Sequence, residues 1–210
     1  TIYTQPIMVA TSIAMWNVWI NKINIMPQFA AGHSLGEYSA LVANQTLLLE
    51  DCLNLVTERA KFMVDAMTGV QGGMAAIMSN NTEMNLSETV EKVCEQLSND
   101  KEIIQPVNYN SKNQIVIAGH KNLIDSCESE FKDQGVKRVI VLPVSIAAHS
   151  TIMKSCSDKL DKLFADPGFL MKRTETVATQ DPETVKKAKI AFKRLTNTLI
   201  NRGQYEPSTL

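Results

Sequence analysis

Long apolar runs, paired cysteines and an excess of one charge are all missing from this 210-residue chain. No apolar stretch reaches the roughly 18 residues that a membrane span needs, so a transmembrane helix is not expected. The four cysteines, Cys52, Cys94, Cys127 and Cys156, are scattered and form no C-x-x-C pair. That spacing argues against a zinc site or a disulfide framework and suits a reducing compartment. Basic residues number 21 and acidic residues 22, a net charge of −1, which leaves no field to draw in nucleic acid or an anionic membrane. Internal repeats are absent. The chain opens on Thr1-Ile2-Tyr3 with no charged n-region, so a secretory signal peptide is not expected. It has no initial Met, and the N-terminus reads as incomplete.

What is present is ordinary globular material: 44% apolar and 20% charged residues, in a chain long enough to bury a core without staples. One large domain, or one with a modest insert, fits the length. Residues 4–20 predict a helix, capped by Thr4 with Pro6 in its first turn. Its apolar residues run nearly all the way round, which predicts burial on every side. A short apolar strand at 28–31 leads into Gly32-His33-Ser34-Leu35-Gly36, followed by a helix over 36–44. Residues 51–67 are amphipathic, with Leu53, Val56, Ala60, Met63 and Met67 at helical spacing. Past the glycines at 69, 72 and 73 the pattern becomes strand 74–78, helix 85–98, strand 103–109, strand 114–118, helix 121–134 and strand 138–142. That order is the split β-α-β-β-α-β unit of ferredoxin-like folds, placed at 72–142 as an insert in the larger domain. A helix at 151–164 and a Lys-rich helix at 182–200 complete the chain.

Gly32-His33-Ser34-Leu35-Gly36 matches G-x-S-x-G between a strand and a helix, the context of a nucleophile elbow. There the Ser34 hydroxyl projects from a strained turn, and the Leu35 N–H at the new helix N-terminus faces a developing oxyanion. A serine nucleophile needs a base, and the chain has three histidines. The His33 side chain diverges from its neighbour's in such a turn. His120 ends a strand of the insert as a structural or surface residue. Elimination leaves His149, at a strand end after Pro143-Val144-Ser145. Arg59 lies at the edge of the apolar stripe of the 51–67 helix, at about the angle of Cys52. On chemistry alone it snorkels to water or pairs with Glu58 or Asp65; the alternative is a fork that grips a substrate carboxylate through two hydrogen bonds. Glu37 suits the first turn of a helix, and the methionines are pliable core filler.

Taken together, Thr4-Gln5-Pro6, Gly32 to Ala40 (GHSLGEYSA), Glu58 to Met63 (ERAKFM), Gly73 to Ile77, Asn108 to Ser111, Gln114 to Gly119 and Pro143 to His149 occur in an order that resembles the malonyl-CoA:acyl carrier protein transacylase family. The resemblance runs from residue 1 to about 165. It implies an α/β fold: an α/β hydrolase-like large subdomain (1–71 and 143–210) with an inserted ferredoxin-like small subdomain (72–142). It implies a cytoplasmic, monomeric acyltransferase of fatty acid biosynthesis, needing no metal or cofactor. Malonyl would pass from malonyl-CoA to Ser34 and then to the phosphopantetheine thiol of acyl carrier protein. Ser34 and His149 would be catalytic, and Arg59, Leu35 and Gln5 would bind substrate. Two other functions stay open on the residues: a serine esterase or thioesterase, against which Arg59 argues, and a non-catalytic remnant that binds carrier protein or a partner.

Two elements of the family are not found in this sequence: the Gly-Gln-Gly-Ser-Gln loop that supplies a second oxyanion donor, and the strand and Gly-Pro-Gly segment that orient the histidine. The jump in pattern between Ala188 and Lys193 predicts that residues are missing from the numbering between 165 and 193, since a core strand is costly to delete.

Overall fold

The structure, a computed structural model, describes residues 2–165. Both the expected gap between 165 and 193 and the helix expected at 182–200 lie outside these residues. The described chain divides into two units, 2–65 with 156–165 and 66–155, and each is taken by itself.

The first unit is helical. Helix α1 spans Thr4–Ile23, and Thr4 is its first helical residue rather than its cap, a shift of one position. Its burial is one-sided: Gln5, Val9 and Ile13 form the buried stripe, four residues apart and therefore on one face. Ile7, Met8, Met15, Val18 and Trp19 are exposed. The expected all-round burial is not met, because an apolar side chain is buried only where a neighbour covers it, and the described residues cover one side of α1. Asn24 closes the helix in the left-handed region at φ 53°, where Asn is tolerated. No strand forms at 28–31, and Phe29 is 77% exposed. A strand needs a neighbour for its ladder of hydrogen bonds, and no described strand pairs with this one. Helix α2 spans Gly36–Ala43 and α3 spans Leu49–Ala66; α3 buries Cys52, Leu55, Val56, Arg59, Ala60 and Met63 along one face.

The second unit is a four-stranded sheet with helices. Its elements are β1 (Gly72–Met78), α4 (Leu86–Leu97), β2 (Ile104–Ser111), β3 (Gln114–His120), α5 (Lys121–Ser126), α6 (Glu128–Asp133) and β4 (Arg138–Val141). All pairings are antiparallel in the order β2-β3-β1-β4. Alternation sorts the strands onto two faces. Ala75, Ile77, Ile115 and Ile117 pack with Val90, Val93, Ile124 and Phe131 from the helices. Ala76, Val116 and Ala118 turn the other way, with Val107 and Ala147. Pro106 sits in β2, which has one hydrogen-bonded neighbour, and an edge strand tolerates a residue with no N–H to give. Gly119 permits the closest approach in the sheet: a Cβ there would run into the Ile103 carbonyl.

The single helix expected at 121–134 is two, broken at Cys127. The Ser126 hydroxyl donates back to the Asn122 carbonyl at 2.9 Å, local competition of the kind that bends or ends helices. After β4 the chain runs through a 3-10 turn at Thr151–Met153 into helix α7, Lys154–Ala165.

Phe131 is fully buried in the helix-covered face of the sheet. Phe131→Ala should destabilise the protein by about 3–5 kcal/mol, read as a lowered urea midpoint.

Candidate active site

The turn from residue 32 to the start of α2 is tight. The Gly36 N–H donates to the His33 carbonyl at 2.9 Å, and the Glu37 N–H to that of Ser34 at 3.2 Å. Ser34 sits in the left-handed region at φ 54°, a conformation that costs a non-glycine residue on the order of 1–3 kcal/mol and gathers at functional sites. Of the two motif glycines, Gly32 is the one that space demands. A Cβ there would strike the Gly36 carbonyl and the Glu37 nitrogen, both backbone, whereas a Cβ on Gly36 would meet nothing within 4 Å. Close packing therefore requires glycine at 32 and not at 36. The Leu35 N–H, just before the helix, donates to no acceptor among the described residues. It adds to the positive end of the α2 dipole beside Ser34.

Arg59 of α3 reaches this turn. It is only 3% exposed. Its Nη1 donates to the Gln5 side-chain oxygen at 2.6 Å and its Nη2 to the Ser34 hydroxyl at 3.2 Å. The simpler expectation, pairing with Glu58 or Asp65, is not what forms. Glu58 takes Lys61 at 2.7 Å and Asp65 takes Lys159 at 2.9 Å. Among the described residues no carboxylate faces Arg59, and its buried Nε has no hydrogen-bond partner there. A buried guanidinium satisfied only by neutral oxygens carries an uncompensated charge, an arrangement that is stable when an anion completes it.

Gln5 is the side chain that makes this burial tolerable. Arginine has donors only, so the amide must turn its oxygen to Arg59. Its NH2 then faces the Met63 sulfur at 3.4 Å. Thr4-Gln5-Pro6 and Glu58-Arg59 thus meet across 54 residues of sequence.

Tyr38, in the first turn of α2, was not singled out by the sequence. Arg59 lies over its ring, 5.6 Å from Cζ to centroid, within cation–π range. Its sequence signal was its place in the Gly32–Ala40 stretch, four positions after the candidate nucleophile. Its hydroxyl is buried without a hydrogen bond among the described residues, and burial pushes its ionisation well above the ordinary tyrosine range. Burial likewise pushes the Cys52 thiol up to about 12. It pushes the Cys156 thiol up to about 11, against the pull of Arg59. These three groups stay protonated at neutral pH, so neither thiol supplies a thiolate nucleophile.

The other candidates fall as follows. His149 belongs to the second unit. It is 7% exposed and left-handed at φ 66°, and the next residue, Ser150, donates its hydroxyl to the Ala147 carbonyl at 2.7 Å. His120 is structural: its Nδ1 accepts the Ile103 N–H at 2.9 Å while its own N–H donates to the Ile103 carbonyl, which joins the end of β3 to the start of β2. His33 is exposed beside Ser34 in the turn. No group of three or more His, Cys, Asp or Glu side chains among the described residues could hold a metal ion, and no described helix is long and apolar enough to cross a membrane.

Against this geometry stand the similarities to known proteins. The acyl transferase domain family matches residues 1–196. The malonyl CoA-acyl carrier protein transacylase of Salmonella typhimurium is 41% identical over 157 residues, covering 75% of this chain and 49% of that protein. The chain thus spans about half the length of this relative. Among solved structures, the malonyl CoA-acyl carrier protein transacylase of Coxiella burnetii superimposes with a TM-score of 0.79 at 28% identity, over 98% of this chain and 63% of that one. A malonyl-transacylase in complex with a type II polyketide synthase acyl-carrier protein gives 0.76 at 31% identity, over 96% and 63%.

The contrast between the two glycines of the turn is testable. Gly32→Ala should cost several °C in melting temperature or block soluble expression. Gly36→Ala, in open space at a helix start, should leave the melting temperature unchanged or raise it by an amount worth up to about 1 kcal/mol.

Proposed function

The chain belongs to the acyl transferase domain family, and from that premise we propose that it transfers a malonyl group from malonyl-CoA to the phosphopantetheine thiol of acyl carrier protein, in the cytoplasm, for fatty acid biosynthesis. One observation carries the reading. Arg59, a buried cation with no carboxylate partner among the described residues, stands 3.2 Å from the hydroxyl of a serine on left-handed backbone. An acyl group carried on that serine and ending in a carboxylate would supply the missing anion.

The reaction is a double displacement. Ser34 Oγ attacks the malonyl thioester carbon as His149 takes its proton. The Leu35 N–H donates to the oxyanion. The intermediate collapses with loss of the CoA thiolate, which takes the proton back from His149, and a malonyl-serine ester remains. The carrier thiol then gives its proton to His149 and attacks that ester. Ser34 leaves as the alcohol and malonyl sits on the carrier. Throughout, Gln5 holds Nη1 of Arg59 while the substrate carboxylate takes Nη2 from the serine hydroxyl and fills the unpartnered Nε. This frees Oγ to react and would favour malonyl over acetyl. In the same reading, residues 1–71 and 143–210 are an α/β hydrolase-like core and 72–142 a ferredoxin-like insert. The strand order β2-β3-β1-β4 supports the insert.

Incubation with radiolabelled malonyl-CoA should label the wild-type protein and release the label to added carrier protein. Release as free malonate would mean a hydrolase, and no label on the folded chain a binding module. Ser34→Ala should carry no malonyl adduct by mass spectrometry.

Arg59→Ala should lower kcat/KM for malonyl-CoA more than for acetyl-CoA. The gap should be about 10- to 150-fold, the worth of a charged hydrogen bond of about 1.5–3 kcal/mol. Equal losses for both substrates would remove the carboxylate role.

A further inference from the structure

Hydrogen bonds hold a guanidinium by its edge and leave its two faces to be fixed by something else. At Arg59 the edge bonds go to Gln5 and Ser34, which lie on separate segments, and the second is the bond that an incoming carboxylate would replace. What remains against the cation is the ring of Tyr38. That ring is anchored twice. It rides on the first turn of α2, where the Tyr38 N–H donates to the Leu35 carbonyl at 3.2 Å. The Tyr38 carbonyl also accepts the Cys52 thiol of α3 at 3.7 Å, so the helix that carries Arg59 is tied to the turn that carries its aromatic support. The hydroxyl contributes nothing comparable, being buried with no partner among the described residues. At this enclosed position the ring, not the hydroxyl, makes the contact with Arg59.

We propose that Tyr38 is a positioning residue for the acyl-selecting arginine: its ring supports the Arg59 guanidinium from the face and keeps the Nε–Nη2 edge directed at the acyl carboxylate while the bond to Ser34 is exchanged. This rests on Arg59 being the carboxylate clamp, and it adds that selectivity for carboxylate-bearing acyl groups depends on an aromatic ring at residue 38.

Two variants separate ring from hydroxyl. Tyr38→Phe keeps the ring; Tyr38→Met keeps an adaptable apolar filler without it. The ratio of kcat/KM for malonyl-CoA to that for acetyl-CoA is the readout. A purely structural role would move both substrates in parallel. Tyr38→Phe should hold the ratio within about twofold of wild type. Tyr38→Met should lower it by about 2- to 30-fold, the worth of a cation–π contact, mainly through a raised KM for malonyl-CoA. An unchanged ratio in Tyr38→Met, or an equal fall in Tyr38→Phe, would overturn the proposal. NMR of the Arg59 Nε–H, displaced by the ring current in wild type and Tyr38→Phe and relaxed in Tyr38→Met, tests the contact without any turnover. If wild type loads no malonyl, the clamp reading fails and the selectivity claim with it, while the NMR shift still decides whether the ring holds Arg59. A shift identical in all three proteins would overturn the positioning claim as well.

Discussion

A single positive charge, buried beside a hydroxyl and answered only by neutral oxygens, organises the first unit. Arg59 ties together three stretches of chain: the start of α1 through Gln5, the turn through Ser34, and α2 through the Tyr38 ring. Each partner is close enough to steady the cation, and none cancels its charge. An aspartate or glutamate beside it would compensate the charge, but a salt-bridged arginine has nothing left to offer an anion. The neighbouring lysines take up the acids that could have competed, Glu58 with Lys61 and Asp65 with Lys159.

The second unit solves a different problem. Its sheet has to carry chain from Gly72 to Val141 and leave a loop that ends at His149. Four antiparallel strands do this with helices packed on one face and a smaller cluster, which includes Ala147, on the other. Ala147 is thereby fixed two residues before His149, and the Ser150 hydroxyl bond back to the Ala147 carbonyl closes the turn around the histidine. A left-handed residue bracketed in this way has little freedom to drift.

Much of this could be read in the residues, and the misses share a cause. Strands and helices that pack within their own stretch of chain were legible from local pattern: the apolar run at 114–118, the stripe of α3, the one-sided helix at 85–98. Expectations that depended on distant neighbours fared worse. The all-apolar surface of α1 promised burial on every side, and the 28–31 segment promised a strand, but covering and pairing are supplied by other segments, which local pattern does not encode. The same limit applies at the site. Ser34 was visible as a motif, whereas the contact of Gln5 with Arg59 and of Arg59 with Tyr38 joins residues whose spacing follows no rule. The pairing of Arg59 with Glu58 or Asp65 looked simpler because both acids lie close in sequence, yet Glu58 goes to Lys61, three residues on, and Asp65 to the distant Lys159.

The left-handed backbone at Ser34 sets local comfort against chemistry. Glycine is the residue that such a φ angle favours, so replacing the serine by glycine would relax the turn while deleting its hydroxyl. Backbone comfort alone would ask for glycine here, so the serine is the one part of the turn that the local geometry does not call for.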